Sequence, residues 1–139
     1  MKRLLKRLGS DMRGSVMGEV AVTLPVVLVL TVALVNLALA GFASVAAANA
    51  ANYGARAGSV AQRGPAGVAA TAADRSLAQT MVGEYSVAAG GGGRPGSQIT
   101  VSVRWSVPNY IGSLLSLLGG GGAVEFKGVS TATFRQEGW

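Results

Sequence analysis

Between Glu19 and Arg56 the chain carries no charged side chain for 36 residues, 20 to 55. About 20 consecutive apolar residues, wound as a helix, cross a hydrocarbon core of roughly 30 Å. A run this long predicts one transmembrane helix with length to spare, and everything else has to be placed relative to it. Its first part, to about Ala40, is rich in Val and Leu and suits lipid. Its second part, Gly41 to Gly58, is dominated by Ala, Asn, Ser and Gly. A helix from Ser15 to Ala61 would reach about 70 Å at 1.5 Å per residue. The expectation is therefore a long helix over 15–62, transmembrane at about 20–40, leading into a small domain over 63–139.

The formal net charge of +6 is unevenly spread. Lys2, Arg3, Lys6, Arg7 and Arg13 precede Gly14, with Asp11 the only acid among them. Residues 1–14 read as a cationic leader. Leu4, Leu5, Leu8 and Met12 are spaced for a turn or two of amphipathic helix at the inner membrane surface, or the segment is simply a positive flank. Lys and Arg beside a hydrophobic span mark its cytoplasmic end. The N-terminus is expected inside and the C-terminal part exported. After Gly14 seven bases stand against five acids. Arg56, Arg63, Arg75, Arg94 and Arg104 do not cluster, which argues against nucleic acid as a partner.

Cysteine and histidine are absent. That excludes a disulfide framework and any Cys/His metal site. The six acids are scattered, with no spacing suited to acid–base work. No catalysis, cofactor or metal is expected. An exported domain this small without disulfides needs another source of stability, and oligomerisation is the obvious one.

The Ala-rich half of the helix carries stacked small-xxx-small spacings: Ala43/Ala47/Ala51, Ala46/Ala50/Gly54 and Gly54/Gly58. Such faces let helix backbones approach closely, in membranes and filaments alike. The plainer alternative is that Ala is only a good helix former. Arg63-Gly64-Pro65 then breaks the helix. A second helix is expected from Ala66 to about Tyr85, with Leu77, Met81 and Tyr85 as its apolar stripe, widened by Ala78 and Val82. Asp74, Arg75 and Gln79 would face away. Gly90 to Gly96 reads as a flexible loop; it lacks the Lys-Ser/Thr ending of a phosphate-binding loop.

Ile99 to Val107 alternates strictly, apolar on odd numbers, which predicts a half-buried strand ended by Pro108. Tyr110 to Leu118 is an apolar loop too short to span a bilayer, and Gly119 to Gly122 a glycine turn. Ala123 to Arg135 is expected to return as a strand with Val124, Phe126, Ala132 and Phe134 on one face and a bulge at Gly128. The two strands would pair antiparallel, giving an α+β fold. The apolar loop between them would meet a partner or a membrane surface.

The junction at the head of the long helix carries the most specific signal. Gly14-Ser15 is followed by Glu19, the fifth residue from Ser15, and by Pro25 within Glu19-Val-Ala-Val-Thr-Leu-Pro25. This resembles the class III leader of type IV pilin-like proteins, and in particular the Glu-Phe-Ala-Leu-Val-Leu-Pro pattern of TadE-like minor pilins, with Val20 in place of the aromatic. The segment Asn49 to Gly58 is similar to the family's Ala-Ala-Arg-Glu-Gly-Ala-Arg stretch, without its Glu before Gly54. The tail, a strand ending Thr133-Phe-Arg135-Gln-Glu137, is similar too. The resemblance implies cleavage after Gly14 by a prepilin peptidase and a place among other pilin or pseudopilin subunits of a tight-adherence pilus. The chain would sit in membrane lipid before assembly and reach the cell surface after it. It also implies a role in assembly for Glu19. The Ser15 α-amino group freed by cleavage would be a cation of free pKa near 8, and Glu19 of the same or a neighbouring chain could pair with it. A simpler role is a carboxylate favoured by the helix N-terminal dipole. Pro25 would be a kink or an early-turn proline.

Two other readings account for parts of the pattern. Ala38-Leu39-Ala40 before Gly41 is a fair signal-peptidase site and would release a secreted binding module. An uncleaved single-pass assembly subunit is the third. Loss of 14 residues, of 40 or of none separates the three.

Overall fold

The computed structural model describes residues 12–117, 119–120 and 124–137. The leader before Met12, Leu118 and 121–123 of the second glycine turn lie outside the described residues. Six elements follow in order: α1 (Met12–Ser59), α2 (Pro65–Leu77), β1 (Glu84–Gly91), β2 (Gln98–Val107), α3 (Tyr110–Leu117) and β3 (Phe126–Arg135). The fold is α+β: one long apolar helix, two short helices and a three-stranded antiparallel sheet in the order β1-β2-β3.

Helix α1 runs unbroken for 48 residues through Pro25. It ends where Ser59 Oγ donates to the Arg56 carbonyl (2.8 Å) and Ala61 N–H to that of Gly58 (3.1 Å). Gly64 then takes a left-handed φ of 56°, which reverses the chain, and Pro65 opens α2 at a position that needs no amide donor. The buried residues of α2 are Pro65, Ala69, Ala73 and Leu77, one stripe at a spacing of four, laid against α1.

The second helix is shorter than its periodicity suggests. It stops at Leu77, and Met81 is 99% exposed. Tyr85 belongs instead to β1, where Tyr85, Val87 and Ala89 alternate inward opposite Trp105, Val103 and Val101. Pairing with β2 outweighs a weak helical stripe, because each strand residue gains ladder hydrogen bonds and a packed face. Gly83 makes the turn at φ 87°, where an added Cβ would sit 2.9 Å from the Ser106 carbonyl.

The glycine run is also ordered more than its composition implies. Gly90 and Gly91 close β1, and Gly92 N–H donates to the Gln98 carbonyl at 3.0 Å. Gly92 (φ 80°) lies against Pro65 and Ile99, so close that a Cβ would sit 2.7 Å from the Pro65 ring.

In β2 the odd residues Ile99, Val101, Val103 and Val107 are almost wholly buried, each worth about 1.5–3 kcal/mol over exposure to water. The even ones face out, with Thr100 paired to Thr133 and Ser102 to Thr131 through their hydroxyls, both at 3.1 Å. The return strand begins at Phe126, after Val124 and Glu125, and carries no bulge. Its register is continuous, and Gly128 stands directly opposite Trp105. The reason is space: the Trp105 indole lies where a Cβ of residue 128 would be. The stretch expected as an apolar loop contains α3, capped by Asn109, whose Oδ1 accepts from Gly112 N–H at 3.0 Å.

Candidate functional site

Helix α1 divides into two halves by what surrounds it. From Val16 to about Val35 almost every side chain is exposed, Val22, Leu24 and Leu34 among them. Twenty residues here span about 30 Å as a helix, the thickness of a hydrocarbon core. By length and composition, this helix can cross a membrane. Glu19 is the only acid on α1 and is exposed near its start. Gly14 and Ser15 lie within the helical backbone, so the bond between them is already wound. Ser15 and Glu19 are four residues apart along the helix. Pro25 lines an open apolar groove with Val26, Val29 and Leu30.

From Asn36 onward the helix is progressively covered. Ala43, Ala47, Ala50 and Ala51 are fully buried, as are Gly54 and Gly58; Ala46 is half-buried. The small-residue stripe is occupied by this chain's own α2 and sheet. A Cβ at Gly54 would sit 2.6 Å from the Ala69 carbonyl and 2.9 Å from Ala73 Cβ. At Gly58 it would lie 2.8 Å from Ala69 Cβ and 3.3 Å from Ile99. The backbones of α1 and α2 can approach this far only because those positions have no side chain.

Three polar residues that periodicity does not single out tie the head to the helix. Asn36, 1% exposed, donates from Nδ2 to Asn109 Oδ1 (3.0 Å) and accepts from Tyr110 N–H (3.3 Å). At the other end, buried Gln136 donates to the Ala61 carbonyl (3.1 Å) and accepts from Gly93 N–H (2.7 Å). Glu137 N–H reaches the Ser59 carbonyl at 3.0 Å. The available signals were a lone Asn within a Val/Leu run and the Pro108-Asn109 start before an apolar octet, the form of an N-cap. Their partners are 73 residues apart, which no local pattern reveals.

The rest of the head has little chemistry. An open groove on the outer sheet face includes Glu84, Arg104, Ser106 and Lys127 in its lining. Lys127 pairs with Glu125 at 3.0 Å, with both side chains more than half exposed, a contact of small energetic weight. Burial raises the pKa of Tyr85, whose hydroxyl donates to the Val82 carbonyl at 2.7 Å. Arg56, Arg63, Arg75, Arg94 and Arg104 are exposed and spread over α1, the following loop, α2, the glycine turn and the outer sheet face. Among the described residues no group of three His, Cys, Asp or Glu is placed to hold a metal ion. Compared with known protein families, characterised proteins and solved structures, the chain matches none.

Proposed function

We propose that this chain is a structural subunit of the TadE-like minor pilin or pseudopilin kind, cleaved after Gly14 and built into or priming a tight-adherence pilus. The observation that carries the reading is the division of α1. One continuous helix leaves its Val/Leu half bare and packs its Ala/Gly half into a small α+β head. Gly14, Ser15, Glu19 and Pro25 stand at the head of the bare half, at the positions the resemblance requires. Before assembly the bare half lies in lipid, with the N-terminus cytoplasmic and the head exported. Afterwards it lies among the helices of other subunits at the cell surface. The partners are then a prepilin peptidase, other pilin or pseudopilin chains and membrane lipid. The chain acts as substrate and building block, not as an enzyme.

Release by signal peptidase after Ala40 fits the head less well. That cut would remove Asn36, leaving Asn109 Oδ1 with only its Gly112 bond and Tyr110 N–H without its partner. Intact mass and N-terminal sequence of the protein from its host test the proposal. A start at Ser15 supports it; a start at Gly41 favours the secreted module, and a start at Met1 a permanent anchor. Gly14→Leu is expected to block processing, because a peptidase site built for glycine has no room for an isobutyl group. Normal processing of that variant would overturn the assignment of the site.

A further inference from the structure

We propose that α3 is a foot seated in the outer leaflet beside α1, with lipid at the boundary of acyl chain and headgroup as its partner, and that the Asn36–Asn109 clasp sets its depth. The inference rests on the reading of α1 as a membrane span. If Glu19 marks the inner edge of the hydrocarbon, Asn36 lies about 26 Å along the helix from it. That is still within a core of roughly 30 Å. A primary amide at that depth needs partners. Asn109 and the first amide of α3 supply them, closing both ends of the Asn36 side chain.

Helix α3 is prepared for the same medium. No charged residue occurs between Arg104 and Glu125. The side-chain polar atoms of its turns are satisfied on the helix backbone itself. Asn109 Oδ1 takes the Gly112 amide, Ser113 Oγ donates to the Asn109 carbonyl (3.2 Å), and Ser116 Oγ to that of Ser113 (2.7 Å). Beside these self-satisfied serines the helix exposes large apolar side chains, with Leu115 44% and Tyr110 50% exposed. The position fits as well. From β3, Ser130 Oγ donates to the Ser44 carbonyl at 3.4 Å. Asn109 meets α1 eight residues earlier, about 12 Å further toward the bare half. The exposed apolar surface of α3 is thus continuous with the surface of α1 that meets lipid, and a tyrosine stands at its start, where an aromatic ring with a polar tip suits the headgroup boundary.

The chain has no native cysteine, so single labels are clean. Full-length Leu30→Cys, Leu115→Cys and Thr131→Cys, each carrying an environment-sensitive fluorophore, are placed in phosphatidylcholine/phosphatidylglycerol nanodiscs. Quenching by doxyl-labelled lipid is compared with quenching by aqueous iodide. The expected result is lipid quenching at 30 and 115, severalfold above that at 131, with iodide reaching only 131. Adding Asn109→Ala to Leu115→Cys is expected to move that label toward iodide. Lipid quenching at 30 with iodide quenching at 115 would overturn the foot and leave the span intact. Lack of lipid quenching at 30 would overturn the span itself. A label at 115 shielded from both quenchers, more so at high protein-to-lipid ratio, would assign the face to a second copy and refute the lipid assignment.

Discussion

Gly54→Ala is the sharpest test of how the head is attached to α1. In most helices the change would be favourable, since Ala exceeds Gly by about 1 kcal/mol in helix propensity. Here the new methyl would lie 2.6 Å from the Ala69 carbonyl oxygen and 2.9 Å from Ala73 Cβ. The carbonyl is backbone and cannot rotate aside, so α2 must move off α1. Overpacking of this kind costs about 1–3 kcal/mol, and with a rigid neighbour the upper end applies. Subtracting the propensity gain leaves a net loss of about 2 kcal/mol. For a head of this size that corresponds to a fall of about 8–16 °C in Tm. Gly67→Ala on α2 is the control: nothing lies within 4 Å of its Cβ position, and it should be neutral or stabilising by up to about 1 kcal/mol. Thermal unfolding of the full chain in a non-ionic detergent, followed by Trp105 emission in a Trp139→Phe background, reads both. If Gly54→Ala stabilises as much as Gly67→Ala, the close approach of α1 and α2 is wrong, and with it the account of the small-residue stripe.

Gln136→Leu orphans the Gly93 amide and the Ala61 carbonyl at once, and should cost about 2–3 kcal/mol, with faster hydrogen exchange at Gly93 and little change in the middle of β2. The raised Tyr85 pKa makes folding pH-dependent on the alkaline side. Its contribution is complete below the ordinary value near 10 and is lost as pH rises from there through the raised folded value. Tyr85→Phe should flatten that part of the stability profile; an unchanged slope would locate the effect elsewhere. On the proposed pilin reading, Glu19→Ala should enter the membrane normally, because it removes a charge from the bare half of α1, yet reduce assembled pili. Unchanged piliation would remove the case for charge pairing with the Ser15 amine.

The elements that could be read from the sequence are those whose signal is local and strong. The charge-free run dictates α1, and the odd-numbered apolar residues of Ile99–Val107 dictate β2 and its buried face. β1 is hidden because Glu84–Gly91 is poor in large apolar residues and ends in glycines, while Leu77, Met81 and Tyr85 happen to fall at helical spacing. Only the ladder with β2 decides between the two. α3 is hidden for a different reason. An apolar octet is too short for periodicity to separate helix from loop. Its Asn109 cap is visible only once Pro108 is taken as the end of a strand rather than the start of a loop. The clasps through Asn36 and Gln136 join segments more than 70 residues apart and are properties of the fold alone.

The burial of the small-residue stripe narrows how such a chain can assemble. Small-xxx-small faces usually suggest contact between helices of different subunits, but Ala47, Ala51, Gly54 and Gly58 are already spent on α2 and the sheet. Two surfaces of α1 remain for a neighbour. One is the bare half up to Val35, where Gly18 has open space around it and the Pro25 groove is apolar. The other is the outward stripe Phe42, Val45, Asn49, Tyr53 and Arg56, spaced at three or four residues and exposed throughout. The first carries the large apolar area and so the energy of helix packing. The second ends in an arginine and contains an amide and a phenol, so it can discriminate between partners through polar contacts. On the proposed pilin reading, a filament built on this chain would be held by the bare half of α1 and take its register from the outward stripe, with the head riding outside.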